Sequence, residues 1–375
     1  MSEIKKLIER LCPDGVEYKK LGEVCEIKTG KGITQKDCTE DGEYPVMSGG
    51  QTPMGMYSEY NREGNTVTVS RVGAYAGFVI YNTDRFYCND KCFSVIPKTN
   101  IQIKSKYLFY VLKHQEEYIK SLQSEGGVPT INTKKVGNVE IPVPHIEVQS
   151  KIVEILDNFT ELEAELEAEL EARRKQYEYY RNQLLTFDKV GGARFDVKWM
   201  KLGEITNVLR GRRLTKKDLS PNADYPVYHG GIEPIGYYNQ SNRPANTVMV
   251  INVGASAGKV GYCNKPFWSS DGCYCIEKND NVNDKYLYYL LSKNQISFVS
   301  KVRHAGIPTL DSRAISEYII PIPPLEEQQR IVSILDRFET LTTDLQSGLP
   351  AEIEARRKQY EYYREKLLTF KRKTA

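Results

Sequence analysis

Four histidines in 375 residues, and no two CxxC pairs among eight cysteines, leave little from which to build a metal centre. Cys12, Cys25, Cys38, Cys88, Cys92, Cys263, Cys273 and Cys275 read instead as reduced, mostly buried thiols. No stretch approaches the ~18 consecutive apolar residues of a membrane span. The opening MSEIKKLIERL lacks the apolar core of a secretion signal. The expectation is a cytoplasmic chain with no membrane partner. Charge is also nearly balanced, 52 basic against 49 acidic side chains, so bulk charge does not call for nucleic acid. GxGxxG, HExxH and GxxxxGK[ST] are absent.

What is present is a duplication. NTVTVSRVGAYAG (65–77) and NTVMVINVGASAG (246–258) agree at nine of 13 positions, at an offset of 181. The same offset relates YPVMSGGQTPMG (44–55) to YPVYHGGIEPIG (225–236), and LGEVCEIKTGKGITQKD (21–37) to LGEITNVLRGRRLTKKD (202–218). At an offset of 179, GGVPT (126–130) pairs with AGIPT (305–309), and IPVPHIEVQSKIVEILDNF (141–159) with IPIPPLEEQQRIVSILDRF (320–338). EARRKQYEYYR occurs unchanged at 171–181 and 354–364. A period of about 180 residues is far too long for a solenoid, so one domain-sized unit has been doubled, with a pseudo-two-fold organisation expected.

Each copy is a Gly- and Tyr-rich segment followed by a charged helix. Alternating runs such as Thr66–Val69 and Phe78–Tyr81, separated by glycine turns, predict short strands and hairpins. Leu108, Val111, Leu112, Ile119 and Leu122 recur at helical spacing, as do Leu287, Leu290 and Leu291. The fold class expected is therefore α+β. After an extended Ile-Pro-Val-Pro connector, apolar residues spaced by threes and fours predict a long amphipathic helix of coiled-coil type. Its packing face carries Phe159, Leu162, Leu166, Leu170, Tyr177 and Tyr180, and that of its repeat Leu341, Leu345, Tyr360 and Tyr363. Pro350, after Gly348, is expected to break the second helix. These patterns divide the chain into 1–146, 147–187, 188–325 and 326–375, with net charges +1, −5, +6 and +1.

Catalytic chemistry is poorly represented. Gly254-Ala255-Ser256-Ala257-Gly258 matches GxSxG, but its sister Gly73-Ala74-Tyr75-Ala76-Gly77 has no nucleophile, and the flanks read strand–turn–strand where a nucleophile elbow needs strand–turn–helix. Asp90 and Asp271 read as turn residues. Binding chemistry is better represented. Lys28, Lys31, Gln35 and Lys36 surround one glycine turn, and Arg210, Arg212, Arg213, Lys216 and Lys217 its counterpart, a composition suited to phosphates and base edges. A solvated basic loop would have the same composition. Polar positions set in the shared scaffold differ between copies: Ser48 against His229, Gln51 against Ile232, Arg71 against Asn252. Two different specificities on one scaffold explain that divergence, as does surface drift. Candidate DNA contacts are thus the nine loop residues with Ser48, Gln51, Arg71, His229 and Asn252. A tandem β-rich adaptor dimerised through its helices is the alternative reading.

Taken together, CPDGVEYKKLGEV (12–24), KTGKGIT, LRGRRLT, the paired YPV..GG..P.G and NTV.V...GA.AG blocks, GVPT/GIPT and the duplicated helix entries closely resemble the specificity subunit of bacterial type I restriction-modification systems. The resemblance implies two target-recognition domains, each reading half of a bipartite site in double-stranded DNA, with the two helices paired antiparallel as a spacer. It implies two methyltransferase subunits and restriction/translocase subunits as partners. S-adenosylmethionine, ATP and Mg²⁺ would belong to those partners, and this chain would be non-catalytic and carry no cofactor. On this reading the thrice-repeated ELEA of 161–172 is a ruler. One unit is roughly 6 Å of helix against about 1.7 Å of duplex per phosphate charge, or 3.4 Å per base pair. Deleting residues 165–168 should shorten the preferred gap by about one to two base pairs with half-site bases unchanged, as sequencing of methylated sites would measure.

Overall fold

The structure is a computed structural model and describes residues 2–124, 127–187, 197–278, 280–344 and 346–373. The chain forms two compact units, Met1–Leu166 with Ile353–Ala375, and Glu167–Glu352. The border falls inside the helix Ile146–Leu184 because its two ends serve different cores. Val148, Ile152 and Leu156 are buried in the first, while Leu184 and Leu185 pack in the second. Among the described residues no helix is long and apolar enough to cross a membrane.

In the first unit a four-stranded antiparallel sheet runs in the order Cys25–Thr29, Cys92–Pro97, Thr66–Ser70, Val79–Asn82. The central strand TVTVS is buried along its whole length, and alternation gives its two faces different tasks. Val67 and Val69 join Phe93, Val95, Leu108, Val111 and Leu112 in the main core, which includes helix Ser105–His114. The intervening Thr68 is satisfied by the Asn82 amide at 3.0 Å, as a buried hydroxyl requires. A second sheet joins Met56–Tyr57, Tyr44–Met47 and Tyr87–Cys88, and a two-stranded ribbon pairs Glu17–Lys20 with Glu140–Val143.

The second unit repeats this order with Thr206–Arg210, Cys273–Lys278, Thr247–Ile251 and Val260–Cys263, then Gly236–Tyr238, Tyr225–Tyr228 and Trp268–Ser269, and the ribbon Lys198–Lys201 with Ile319–Ile322. Met249 stands where Thr68 does, and there the second face is apolar, lined by Ile251, Cys263, Phe267, Cys273 and Cys275.

The periodicity around 108–122 resolves into two helices, Ser105–His114 and Glu116–Ser121, because Gln115 at φ −92°, ψ 10° turns the chain between them. The C-terminal helix is broken, as its Gly-Pro signal predicts, but the proline is not the breaker. Leu325–Thr343 ends at Asp344, whose carboxylate accepts from Ser347 Oγ and, at 2.8 Å, from the Gln346 N–H. Leu349–Leu368 then starts with Pro350 in its first turn, where the missing N–H is of no consequence.

Helix pairing occurs within each unit. In the first, the Phe159 ring lies 5.4 Å from that of Tyr363 and 6.3 Å from that of Tyr360, and Arg357 donates to Glu163 at 2.5 Å. Rising numbers meet falling ones, so these segments are antiparallel. In the second, Phe338 stacks on Tyr180 at 5.5 Å and meets Tyr177 at 6.5 Å. Leu162, Leu166 and Leu170 are half-buried and Leu341 is at the exposed margin. Leu345 lies outside the described residues.

A buried glutamine joins helix to globule twice. Gln149 accepts from Lys104 N–H at 2.9 Å and donates to the Gln102 and Pro144 carbonyls. Gln328 makes the same three bonds to Asn283, Asn281 and Pro323. A second pair of equivalents differs in charge. The buried Glu116 carboxylate accepts from the Val79 N–H at 3.0 Å and holds Lys113 and Lys120; Gln295 accepts from the Val260 N–H at 2.8 Å with no ammonium. Burial acts to raise the Glu116 pKa, but hydrogen bonds from Lys113, Val79 and Lys120 outweigh it and hold the group below its ordinary 4.5. Since the folded value is the lower one, this contribution is full above the unfolded pKa and is lost as pH falls through the folded value. Glu116→Gln should therefore keep the fold and flatten the acid limb of the stability profile, measured by urea unfolding between pH 3 and pH 6, a window of about 1.5 units either side of the usual carboxylate value.

Candidate nucleic-acid interface

Three loops of each unit converge on one turn. The glycine loop that follows Cys25–Thr29 lies against residues 88–92, with Lys31 N–H donating to the Cys88 carbonyl at 3.0 Å and Gly30 N–H to that of Cys92 at 3.2 Å. Its counterpart bonds Arg212 N–H to Ser269 at 2.9 Å and Gly211 N–H to Cys273 at 3.2 Å. A Cβ on Gly30 would collide with the backbone oxygens of Cys88 and Asn89, and one on Gly211 with those of Ser269 and Ser270. Only glycine permits so close an approach. Asn89 closes the first loop by donating to the Ile33 carbonyl at 2.8 Å, and Trp268 Nε1 closes the second onto Arg212 at 2.8 Å.

Each loop then enters a short 3₁₀ turn, Gln35–Asp37 or Lys216–Asp218. Asp37 accepts from the Thr34 N–H at 2.6 Å and hydroxyl at 2.7 Å, and these bonds lower its pKa, the backbone one most. Asp218 accepts from both groups of Thr215 at 2.7 Å and is lowered likewise, the hydroxyl acting most. The charged carboxylate thus fixes the turn that displays Lys36, or Lys216 and Lys217, to solvent.

Ten of the predicted contacts are exposed: Lys28, Lys31, Gln35, Lys36, Gln51, Arg210, Arg212, Arg213, Lys216 and Lys217. Several already have partners. Lys28 pairs with Glu26, Gln35 donates to the Met54 carbonyl at 3.0 Å, and Arg210 to that of Asp271 at 3.3 Å. Arg71 and His229 are half-buried. Arg71 donates to the Asp90 carbonyl at 3.1 Å, and His229 Nδ1 lies 3.2 Å from the Gly272 N–H and 3.3 Å from an Asp271 oxygen. Ser48 and Asn252 are buried, against the expectation that they face a ligand. Asn252 donates to the Asp271 carbonyl at 3.3 Å, the bond that Arg71 makes in the first unit, so its NH₂ group is committed to the scaffold, while its Oδ1 is buried with no partner among the described residues.

Sequence reasoning missed what holds these loops. Asn61 takes the Cys88 backbone in both directions, accepting its N–H at 2.7 Å and donating to its carbonyl at 3.0 Å. Arg62 reaches Ser94 Oγ at 2.7 Å and the Thr29 carbonyl at 3.3 Å. Asn242 repeats the first pattern on Ser269, at 2.7 and 2.9 Å, and Arg243 reaches the Arg210 carbonyl at 3.2 Å. The Asn-Arg dipeptide recurs at the offset of 181, a signal the sequence did contain. Ser256 lies in a turn between two strands, not between a strand and a helix. Among the described residues no group of three or more His, Cys, Asp or Glu is placed to hold a metal ion.

Asn242→Ala should cost about 1–3 kcal/mol by leaving backbone groups of Ser269 unpaired. Asn242→Asp keeps the acceptor but sets a carboxylate oxygen against the Ser269 carbonyl, and should cost at least as much. Urea unfolding of the full chain would rank the two.

The family model for the type I restriction modification DNA specificity domain matches residues 13–172 and again 196–355. A type I restriction enzyme specificity subunit of Escherichia coli is 29% identical across 99% of this chain and 98% of its own length. A Haemophilus influenzae protein assigned to the same subunits is 30% identical across 99% of this chain and 100% of its own. The crystal structure of a type I S subunit from M. genitalium shares the fold, with a TM-score of 0.70 at 21% identity, covering 94% of this chain and 96% of that one. With both repeats matched and the whole length aligned, the chain belongs to the type I restriction-modification DNA specificity family.

Proposed function

We propose that this chain reads a bipartite, gapped site in double-stranded DNA, one half with each unit, and directs methyltransferase and restriction subunits to it. The observation that carries the reading is the doubled basic glycine loop, braced from behind and displaying Lys31 and Lys36 in one unit and Arg212, Arg213, Lys216 and Lys217 in the other. Flexible cations on a rigid loop suit phosphate contact, while the differing polar sets beside them suit different bases. Two methyltransferase subunits and the restriction/translocase subunits are the partners in this reading, and S-adenosylmethionine, ATP and Mg²⁺ are theirs. The role assigned to this chain is recognition, without catalysis, in the cytoplasm.

Charge reversal at Arg212 and Arg213 in the full chain, assembled with its methyltransferase, should weaken binding and lower the slope of log K against log salt by about two, near 0.9 per lost phosphate contact. Footprint protection should weaken only over the half-site read by Glu167–Glu352, with base preference unchanged. Equal loss at both half-sites would overturn the assignment.

A further inference from the structure

In each unit the interface continues into an apolar tip. Ile131 N–H donates to the Arg71 carbonyl at 2.9 Å and Gly73 N–H to that of Pro129 at 2.9 Å, so the GVPT loop is laced to the strand end that braces Asp90. Leu310 and Gly254 make the same bonds to Asn252 and Pro308, at 2.8 and 2.9 Å. The Thr130 hydroxyl closes on the Val128 carbonyl at 3.0 Å, and that of Thr309 on Ile307 at 2.8 Å. Gly127 and Gly306, at φ +79° and +83°, turn the chain so that the next side chain projects outward. Val128 is 64% exposed and Ile307 70%.

A single exposed aliphatic is ordinary. Here the same placement occurs twice, on loops held by four hydrogen-bonded backbone or hydroxyl groups, with proline stiffening the position after it. Nearby polar positions differ between the copies, yet the tip stays β-branched in both. Basic residues lie along the same segments, with Glu125 and Asp311 also nearby in sequence. Arg303 and His304 precede Ile307 on the same loop, Lys134 follows Val128 in the first unit, and all three are exposed. A stiff aliphatic–proline tip near basic side chains has the chemistry of side chains that wedge between base steps.

We infer that Val128-Pro129 and Ile307-Pro308 are apolar wedges, each entering a groove of its own half-site and opening one base step. Both wedges rest on the reading of the chain as a DNA specificity subunit. Being alike in the two units, they position and deform the duplex and leave base choice to the divergent polar residues. An opened step suits a partner that modifies a base, since that chemistry needs the base outside the stack.

The test uses the full chain assembled with its methyltransferase and duplexes carrying 2-aminopurine at successive positions. The parent complex should brighten at one position in each half-site. Val128→Ser should abolish the signal in one half-site alone and weaken binding about tenfold, the scale of one exposed aliphatic side chain, with base preference unchanged. Ile307→Ser should do the same in the other half-site, and Val128→Ile should restore both signal and affinity. Specific binding with no brightening anywhere, or serine variants that change neither readout, would overturn the wedge. So would serine variants that lose the methyltransferase while the chain's own DNA cross-links persist, since the tip would then be a protein contact. A parent complex that does not distinguish the gapped site from scrambled duplex would remove the specificity reading itself, and the wedge with it.

Discussion

A side-chain amide clamped on a strand's backbone is what the candidate interface depends on. Asn61 and Asn242 each satisfy both polar groups of one residue, Cys88 or Ser269, beside the point where the glycine loop touches down. That loop bonds to the same residue's carbonyl through Lys31 or Arg212. One asparagine therefore fixes the edge from which basic side chains project. The following arginine ties the strand end before the loop, at Thr29 or Arg210, to the same edge. In the proposed reading, cations on such a support would not have to order the backbone on meeting a phosphate.

The two units solve the joint between globule and helix with the same polar parts. Tyr110 donates to Asp157 at 2.5 Å while Lys106 pairs with the other oxygen at 2.9 Å. Tyr289, Asp336 and Lys285 form the equivalent triad at 2.5 and 2.8 Å, here with both donors on one Asp336 oxygen, and with Glu339 added 2.7 Å from the tyrosine oxygen. Burial, then the adjacent carboxylate, pushes both phenols far above their ordinary range, so they act as neutral donors. Buried glutamines complete each joint by pairing with backbone that no helix or strand satisfies. A globule held this firmly presents its loops at a defined place along its helix.

The copies differ both in the interior and at the turn. Glu116 and Gln295 exchange a charge while keeping one backbone bond, and Thr68 and Met249 exchange a hydroxyl for a thioether in the sheet interior. Neither touches the loops. Ser48 and His229, by contrast, sit at the turn itself, where His229 meets Gly272 and Asp271. Duplication has preserved the backbone bonds that hold the chain while side chains vary both in the interior and at the turn.

Much of this was legible in the residues alone. The offsets of 181 and 179 dictated two units of one topology, the aliphatic spacing dictated the helices, and Gly-Pro marked the break after Thr343. These are local or repeated patterns, and a chain carries them wherever it folds. Tertiary structure decided the rest. It divided the helix Ile146–Leu184 between two cores, because which end is buried depends on side chains far away in sequence. It turned Ser48 and Asn252 inward and committed Arg71 to the Asp90 carbonyl. A polar residue in a strand-end loop can face water or a backbone carbonyl equally well by composition. Only the strands that pair beside it, here Tyr87–Cys88 and Cys92–Pro97 or their repeats, determine which carbonyl is within reach.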